Sequence, residues 1–169
     1  MLVRAFGFLF PRRHGARMEW PKGTMAMSQN TILLAEDNEC DLYIVRALMR
    51  ECRVLNPLQA VMDGEQAICY LGGQSIYADR SLYPLPVLFL LDLRMPRIDG
   101  LEVLRWLRTQ PKPGFPIIVM TVFDDLRILN DAYRLGAHSF LSKPLRKEDF
   151  LLLAKGFKGI QIEGNETAK

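Results

Sequence analysis

The sequence predicts an α/β fold in which five parallel strands alternate with helices that cover both faces of the sheet. Residues 87–91 form an entirely apolar run, without the alternation of a strand that has one solvated face. Similar apolar runs recur along the chain, and segments with helical spacing separate them. Polar residues follow several runs directly, at the sheet edge where open α/β folds bind their ligands.

The individual elements follow from this pattern and from local capping signals. Strands are predicted at residues 31–35, 58–61, 87–91, 116–120 and 139–142. Helices are predicted at about residues 39–53, 64–71, from 100 onward, 125–135 and 147–157. Asn38 is expected to cap the first helix with Asp41 as its reciprocal partner, and Glu102 occupies the matching position after Asp99. Right-handed crossovers then place helices on both faces.

Length and composition indicate one globular domain. A chain of 169 residues suits a single core, and 49% hydrophobic with 24% charged residues is ordinary for a globular protein. We expect a basic leader at 1–29, a folded domain at 30–160 and a tail at 161–169. The longest uncharged apolar stretch, residues 81–91, is too short to span a bilayer, so no membrane insertion is expected.

The positive charge of the chain is concentrated in the leader. Residues 1–30 contain five basic residues and one acidic residue, whereas the whole chain carries +3. The remainder is therefore slightly acidic, which does not favour nucleic-acid binding. The apolar start is interrupted too early for a secretory signal. Methionines at 18, 25 and 27 leave two alternatives, a start codon assigned too far upstream or a disordered basic arm.

The three cysteines, Cys40, Cys52 and Cys69, show no metal-ligand spacing and are odd in number. We expect three reduced thiols, buried as small apolar residues in helices of a cytoplasmic protein.

Acidic residues follow two of the predicted strands. Glu36 and Asp37 come directly after the first strand, and Asp92 comes directly after the third. If these strands are neighbours, the three carboxylates converge, and their mutual repulsion favours binding of a hard divalent cation such as Mg²⁺. One carboxylate could then act as a nucleophile toward phosphorus. For Asp92 alone, an aspartate that merely starts a turn remains the alternative.

Two further strand ends supply a hydroxyl and an ammonium group. Thr121 follows the fourth apolar run, and Lys143 follows the fifth. Both groups could bind the oxygens of a transferred phosphoryl group at the same edge of the sheet.

These motifs together resemble the response regulator receiver domain of the CheY-like, flavodoxin-like class, over about residues 30–160. The matching segments are Leu33–Asn38, Leu91–Gly100, Val119–Thr121 and Phe140–Pro144. The resemblance implies a five-stranded sheet of order 2-1-3-4-5. It also implies a cis peptide bond between Lys143 and Pro144. The long segment before the third strand is similar to that of stand-alone receivers that partner phytochrome-like sensor histidine kinases.

The resemblance also implies roles for the residues at the strand ends. Asp92 is the implied phosphoacceptor, with Thr121 and Lys143 as the residues that assist its phosphorylation. Mg²⁺ would be held by Glu36, Asp37, Asp92 and the backbone carbonyl of Arg94. Phe140 occupies the position of the aromatic switch residue of the family.

We therefore expect a single-domain response regulator of a two-component phosphorelay. It would accept a phosphoryl group from a sensor histidine kinase or a histidine phosphotransfer protein, and it would not be an enzyme with a separate catalytic domain. Helix five is apolar over residues 150–154, so Leu151 or Leu152 should be exposed. We expect a homodimer through the face of helix four, strand five and helix five.

Two alternatives remain at this point. One is a pseudo-receiver or adaptor that is never phosphorylated. The other is a phosphohydrolase with an aspartate nucleophile, although Arg94 occupies the position where those enzymes favour a second aspartate.

Overall fold

The computed structural model describes residues 30–122 and 126–164, together with the backbone of residues 3–5 and 8–10. In residues 30–164, five parallel strands form one sheet that is covered by α-helices, as predicted. The strands are β1 (Ile32–Ala35), β2 (Leu58–Val61), β3 (Leu88–Asp92), β4 (Ile117–Thr121) and β5 (Ser139–Ser142). The helices are α1 (Glu39–Glu51), α2 (Gly64–Gly72), α3 (Gly100–Arg108), α4 (Leu126–Leu135) and α5 (Lys147–Gly156).

The strand order is β2-β1-β3-β4-β5, which confirms the predicted order. The central strand β3 pairs with β1 on one side and with β4 on the other. In the register of these pairs Ala35 lies beside Leu91, and Asp92 lies beside Met120. The carboxyl ends of β1, β3 and β4 therefore meet at one edge of the sheet, which is the edge that carries the predicted polar residues.

Two apolar cores lie on opposite faces of the sheet. Alternate residues of each strand point to opposite faces, so Phe89 and Leu91 enter one core while Leu88 and Leu90 enter the other. Helices α2, α3 and α4 cover the first core, and α1 and α5 cover the second. All four of these β3 side chains are at most 1% exposed. Burial of this extent contributes about 1.5–3 kcal/mol per large apolar side chain.

Element boundaries agree with the sequence predictions to within two residues wherever they are described. The largest difference is at the end of α1, which ends at Glu51 rather than at Arg53. Arg53 adopts a φ of 55°, outside the helical region, and this conformation stops the helix. The predicted start of α4, Asp125, lies outside the described residues.

The capping prediction for α3 is confirmed, whereas that for α1 is confirmed for Asn38 and wrong for Asp41. Asp99 and Glu102 form a complete capping box at α3. At α1 the side chain of Asn38 accepts bonds from the N–H groups of Cys40 and Asp41, but the reciprocal bond is absent. The N–H of Asn38 instead donates to Glu36 Oε1 at 3.1 Å.

The cysteine prediction was partly wrong. All three thiols are free, as expected, but only Cys52 is buried. Cys40 is exposed because it lies in the first turn of α1 on the solvent side, and Cys69 is half-buried.

The long segment between α2 and β3 folds back onto the domain and includes a 3₁₀-helix at Ser75–Ala78. Tyr77 and Tyr83 pack against the buried Tyr70, with ring centroids 5.2 and 6.0 Å from it. These ring contacts hold the long segment against α2.

The predicted leader lies outside the described residues, except for two short strands, Val3–Ala5 and Phe8–Phe10, which pair antiparallel. The predicted tail is described as far as residue 164. Within it, Ile162 forms an isolated bridge with Val54, and the N–H of Glu163 donates to the carbonyl of Arg53. No helix in the described part of the chain is long and apolar enough to cross a membrane.

Candidate functional site

Three carboxylates converge at the carboxyl edge of the sheet. Glu36 and Asp37 follow β1, and Asp92 is the last residue of β3. Each of the three offers a carboxylate oxygen, and these oxygens all lie within 4.8 Å of one another. Glu36 and Asp92 are buried, whereas Asp37 is exposed and opens the cluster to solvent. The structure thus brings together the three acids that the strand ends predicted.

Lys143 neutralises much of this negative charge. Its ammonium nitrogen lies 2.7 Å from Glu36 Oε2, 2.9 Å from Asp41 Oδ2 and 3.3 Å from Asp92 Oδ2. Burial alone would lower the pKa of Lys143, but the hydrogen bonds to Glu36 and Asp41 and the attraction to Asp92 raise that pKa to about 12. The ammonium group is therefore charged throughout the physiological range.

The site nevertheless keeps an excess of negative charge. Burial is the largest cause that raises the pKa of Asp92, while Lys143 and a hydrogen bond from the Arg94 N–H oppose it. Burial likewise raises the pKa of Glu36, with a further contribution from the charge of Asp92. The charged form of both carboxylates is therefore less stable here than it would be in water. A divalent cation would relieve this repulsion.

The donor set fits Mg²⁺ or a similar hard cation. Carboxylate oxygens are the protein ligands such ions prefer, and the exposure of Asp37 leaves room for water ligands. Arg94 lies two residues beyond Asp92, at the start of the loop to α3, and its N–H bonds to the Asp92 carboxylate.

Thr121 and Phe140 lie on the neighbouring strands. Thr121 ends β4 and is buried, and its hydroxyl donates to the carbonyl of Val122 at 3.2 Å. Its carbonyl accepts the N–H of Lys143 at 2.8 Å, which links the ends of β4 and β5. Phe140 is half-buried and packs edge-on against Tyr133 of α4, with centroids 6.0 Å apart. The peptide bond between Lys143 and Pro144 is cis, as expected.

The sequence prediction missed Asp41 as a member of the site. It was assigned to the cap of α1, whereas its carboxylate accepts a hydrogen bond from Lys143 at 2.9 Å. The available signal was its place in the first turn of α1, since that turn starts directly above the carboxyl end of β1. The partner is 102 residues away in sequence, so local capping rules could not identify it.

Comparisons with known proteins agree with this geometry. The family described as response regulator receiver domain matches residues 32–155. Response regulator Rcp1 of Synechocystis is 29% identical over 133 residues, which cover 78% of this chain and 88% of that protein. The crystal structure of its Mn²⁺-bound form has a TM-score of 0.64 with 27% identity, covering 83% of this chain and 99% of that one.

Two further solved structures are similar. Response regulator RPA3017, described in red light signalling of R. palustris, has a TM-score of 0.66 and 32% identity, covering 75% of this chain and 89% of that one. The phosphorylated cyanobacterial phytochrome response regulator RcpA has a TM-score of 0.64 and 27% identity, covering 76% of this chain and 90% of that one.

Proposed function

This chain belongs to the response regulator receiver family, and we propose that it receives a phosphoryl group on Asp92 in a two-component phosphorelay. The donor would be a phosphohistidine on a sensor histidine kinase or on a histidine phosphotransfer protein. The observation that carries the proposal is that Glu36 and Asp37 converge on the Asp92 carboxylate, which Lys143 also contacts. The similarity to RcpA, which is described as a phytochrome response regulator, supports a kinase of the phytochrome-like class.

The proposed reaction is an in-line displacement at phosphorus. A carboxylate oxygen of Asp92 attacks the phosphorus atom, and the bond from phosphorus to the histidine nitrogen breaks. The electron pair of that bond stays on the leaving imidazole nitrogen. Mg²⁺, held by Glu36, Asp37, Asp92 and the Arg94 carbonyl, would neutralise charge on the phosphoryl oxygens. Positioning and charge stabilisation carry most of the rate in such transfers.

Lys143 and Thr121 would bind the transferred group. The ammonium of Lys143 already lies at 3.3 Å from Asp92, so it can follow the charge onto the new phosphoryl oxygens. The Thr121 hydroxyl would have to leave the Val122 carbonyl to donate to the phosphoryl group. This movement would open space beside β5, and Phe140 would turn from Tyr133 toward the interior. The surface of α4 and β5 would change accordingly.

The output of this switch would be a protein contact in the cytoplasm. Two large side chains are strongly exposed on α4 and α5, Leu126 at 72% and Leu152 at 75%. Exposed apolar groups of this size favour a partner surface, and we propose a homodimer through α4, β5 and α5. Light scattering should show a dimer that Leu152→Glu weakens, whereas the control Leu55→Glu, at a 60% exposed site in the α1–β2 connection, should not.

Incubation with acetyl phosphate and Mg²⁺ tests the proposed phosphorylation. One acid-stable, base-labile phosphoryl group should appear per chain, and Asp92→Asn should abolish it. Asp131→Asn, which removes an exposed carboxylate on α4, should leave it intact. The absence of any modification would favour the adaptor. Steady turnover of phosphate esters would favour the phosphohydrolase.

A further inference from the structure

The loop that follows Asp92, residues 93–99, controls the surroundings of the proposed phosphoacceptor. Its second residue, Arg94, donates its N–H to the Asp92 carboxylate. Its ends are drawn together by a bond from the N–H of Gly100 to the carbonyl of Leu93, at 3.1 Å. The position of this loop therefore sets whether the Arg94 N–H reaches the Asp92 carboxylate.

An ion pair ties the loop to the start of α2. Asp63 is the N-cap of α2, and its side chain is only 1% exposed. It accepts the N–H of Gln66 at 2.8 Å and the side-chain amide of Gln66 at 3.0 Å. Its second oxygen also contacts the guanidinium of Arg97, which belongs to the loop. A buried carboxylate needs such a partner because a charge without compensation is costly in the interior.

The backbone of the loop fits this tether. Arg97 has a φ of 66°, in the left-handed region that non-glycine residues rarely occupy unless the surroundings hold them there. Next to it, the loop lies directly against α2, since a Cβ at Gly64 would lie 2.3 Å from the carbonyl oxygen of Ile98. Loop 93–99 and the N-terminus of α2 thus form one packed unit, and the Asp63–Arg97 pair is its electrostatic contact.

From this geometry we propose that Arg97 is a positioning residue that acts through Asp63. The pair fixes loop 93–99 so that Arg94 keeps its N–H on Asp92 and its carbonyl available as a metal ligand. The inference rests on the proposed function for the metal ligands, but it assigns a new role to two residues outside the acidic cluster. Arg97 itself touches neither metal nor phosphoryl group in this scheme.

The test measures metal affinity and loop order separately from phosphorylation. Arg97→Gln removes the charge from a side chain that is 56% exposed, so the variant should fold. Its affinity for Mn²⁺, measured from the free-ion signal in electron paramagnetic resonance, should fall about 3- to 10-fold, at or below the range for partners that orient metal ligands. With both proteins free of metal, hydrogen exchange at the Arg94 amide should be faster in Arg97→Gln than in the unaltered chain.

Matched variants separate positioning from general destabilisation. Arg53→Gln breaks an exposed pair with Glu163, at 3.7 Å, and should leave Mn²⁺ affinity unchanged. Arg97→Lys keeps the charge and should lose less affinity than Arg97→Gln. Asp63→Asn should reproduce the loss, and the double variant Asp63→Asn with Arg97→Gln should add little to either single change.

The outcomes distinguish a failure of the positioning role of Arg97 from a failure of the proposed function. Mn²⁺ affinity of Arg97→Gln equal to that of the unaltered chain overturns the inference, and so does an equal loss in Arg53→Gln or Arg97→Lys. Additive losses in the double variant also overturn it, because independent residues would not act through one contact. If the unaltered chain itself fails to bind Mn²⁺ or to accept a phosphoryl group, the proposed function fails instead.

Discussion

Two half-buried cations in this molecule are held by different kinds of oxygen. Lys143 is surrounded by the carboxylates of Glu36, Asp41 and Asp92. Arg80 is surrounded by backbone carbonyls, with distances of 2.8 Å to Tyr70, 2.7 Å to Leu71 and 3.2 Å to Tyr83. The first cation lies among ionisable carboxylates at the sheet edge, and the second binds the carbonyls at the C-terminus of α2.

The difference separates a site that can react from a contact that stabilises. Carbonyl dipoles at a helix C-terminus attract a cation but cannot change their charge. Burial lowers the pKa of Arg80, which still stays charged, and the contact fixes the long loop after α2. Around Lys143, in contrast, burial and mutual repulsion leave Glu36 and Asp92 with raised pKa values. The carboxylates repel one another, and a bound cation would reduce this repulsion. The repulsion therefore favours binding of a cation at the site.

The largest effect is expected from Lys143→Met. Loss of the ammonium removes a charge that would stabilise the phosphoryl group during transfer. Phosphorylation by acetyl phosphate at saturating Mg²⁺ should slow by roughly 100-fold, as when one preorganised donor is lost from an active site. Lys147→Met, which removes only an exposed pair with Glu51 at 3.6 Å, is the matched control and should react at the normal rate. A change of less than threefold in Lys143→Met would contradict the proposed role.

Arg80→Ala should reverse this pattern, with a large loss of stability and little loss of reactivity. Three buried or half-buried carbonyls lose a charged donor, so the free energy of unfolding in urea should fall by about 2–3 kcal/mol. Arg146→Ala removes an exposed pair with Asp149, at 2.8 Å, and should cost at most about 0.5 kcal/mol. If Arg80→Ala slowed phosphorylation as much as Lys143→Met, the separation between the two cations would be lost.

The same contrast explains what the sequence could predict. Apolar runs ended by polar residues predict β1, β3 and β4, and the strand order implied by the family resemblance then brings Glu36, Asp37 and Asp92 together. Pairings between distant side chains carry no such local signal. Neither the contact of Lys143 with Asp41 nor that of Arg97 with Asp63 could be derived, because each joins loops or helix ends whose approach depends on the whole fold. The contacts of Arg80 with backbone carbonyls could not be predicted either, because Arg80 lies in a segment without helical or strand periodicity.

Asp92→Asn should stabilise the metal-free protein, because it removes one of the repelling carboxylates. The folded-state pKa of Asp92 is raised, so its contribution to stability is complete below the unfolded-state pKa, about 4, and is lost as pH rises through the folded-state value. The variant should therefore gain unfolding free energy near neutral pH, in the direction that the raised pKa of Asp92 requires. The gain should shrink on acidification and vanish below pH about 4.

Glu36, Asp37 and Lys143 remain in that variant, so the comparison isolates one carboxylate. Saturating Mg²⁺ should reduce the difference or reverse its sign, since only the unaltered chain keeps the full ligand set. Asp131→Asn at the exposed α4 site should show no comparable pH-dependent gain. A loss of stability in Asp92→Asn at neutral pH would mean that Lys143 already compensates the cluster.

The smallest effect is expected at the loop, from Tyr70→Phe. The buried Tyr70 hydroxyl donates to the carbonyl of Pro84 at 2.8 Å, and burial raises its pKa to about 12, so it stays protonated and keeps donating. Its loss leaves that carbonyl without the bond while the ring stays packed against Tyr77 and Tyr83. Unfolding should become easier by about 1 kcal/mol, with no change in phosphorylation rate. A much larger loss would show that the hydroxyl, rather than Arg80 and ring packing, holds the loop, and the carbonyl-bound cation would then be secondary.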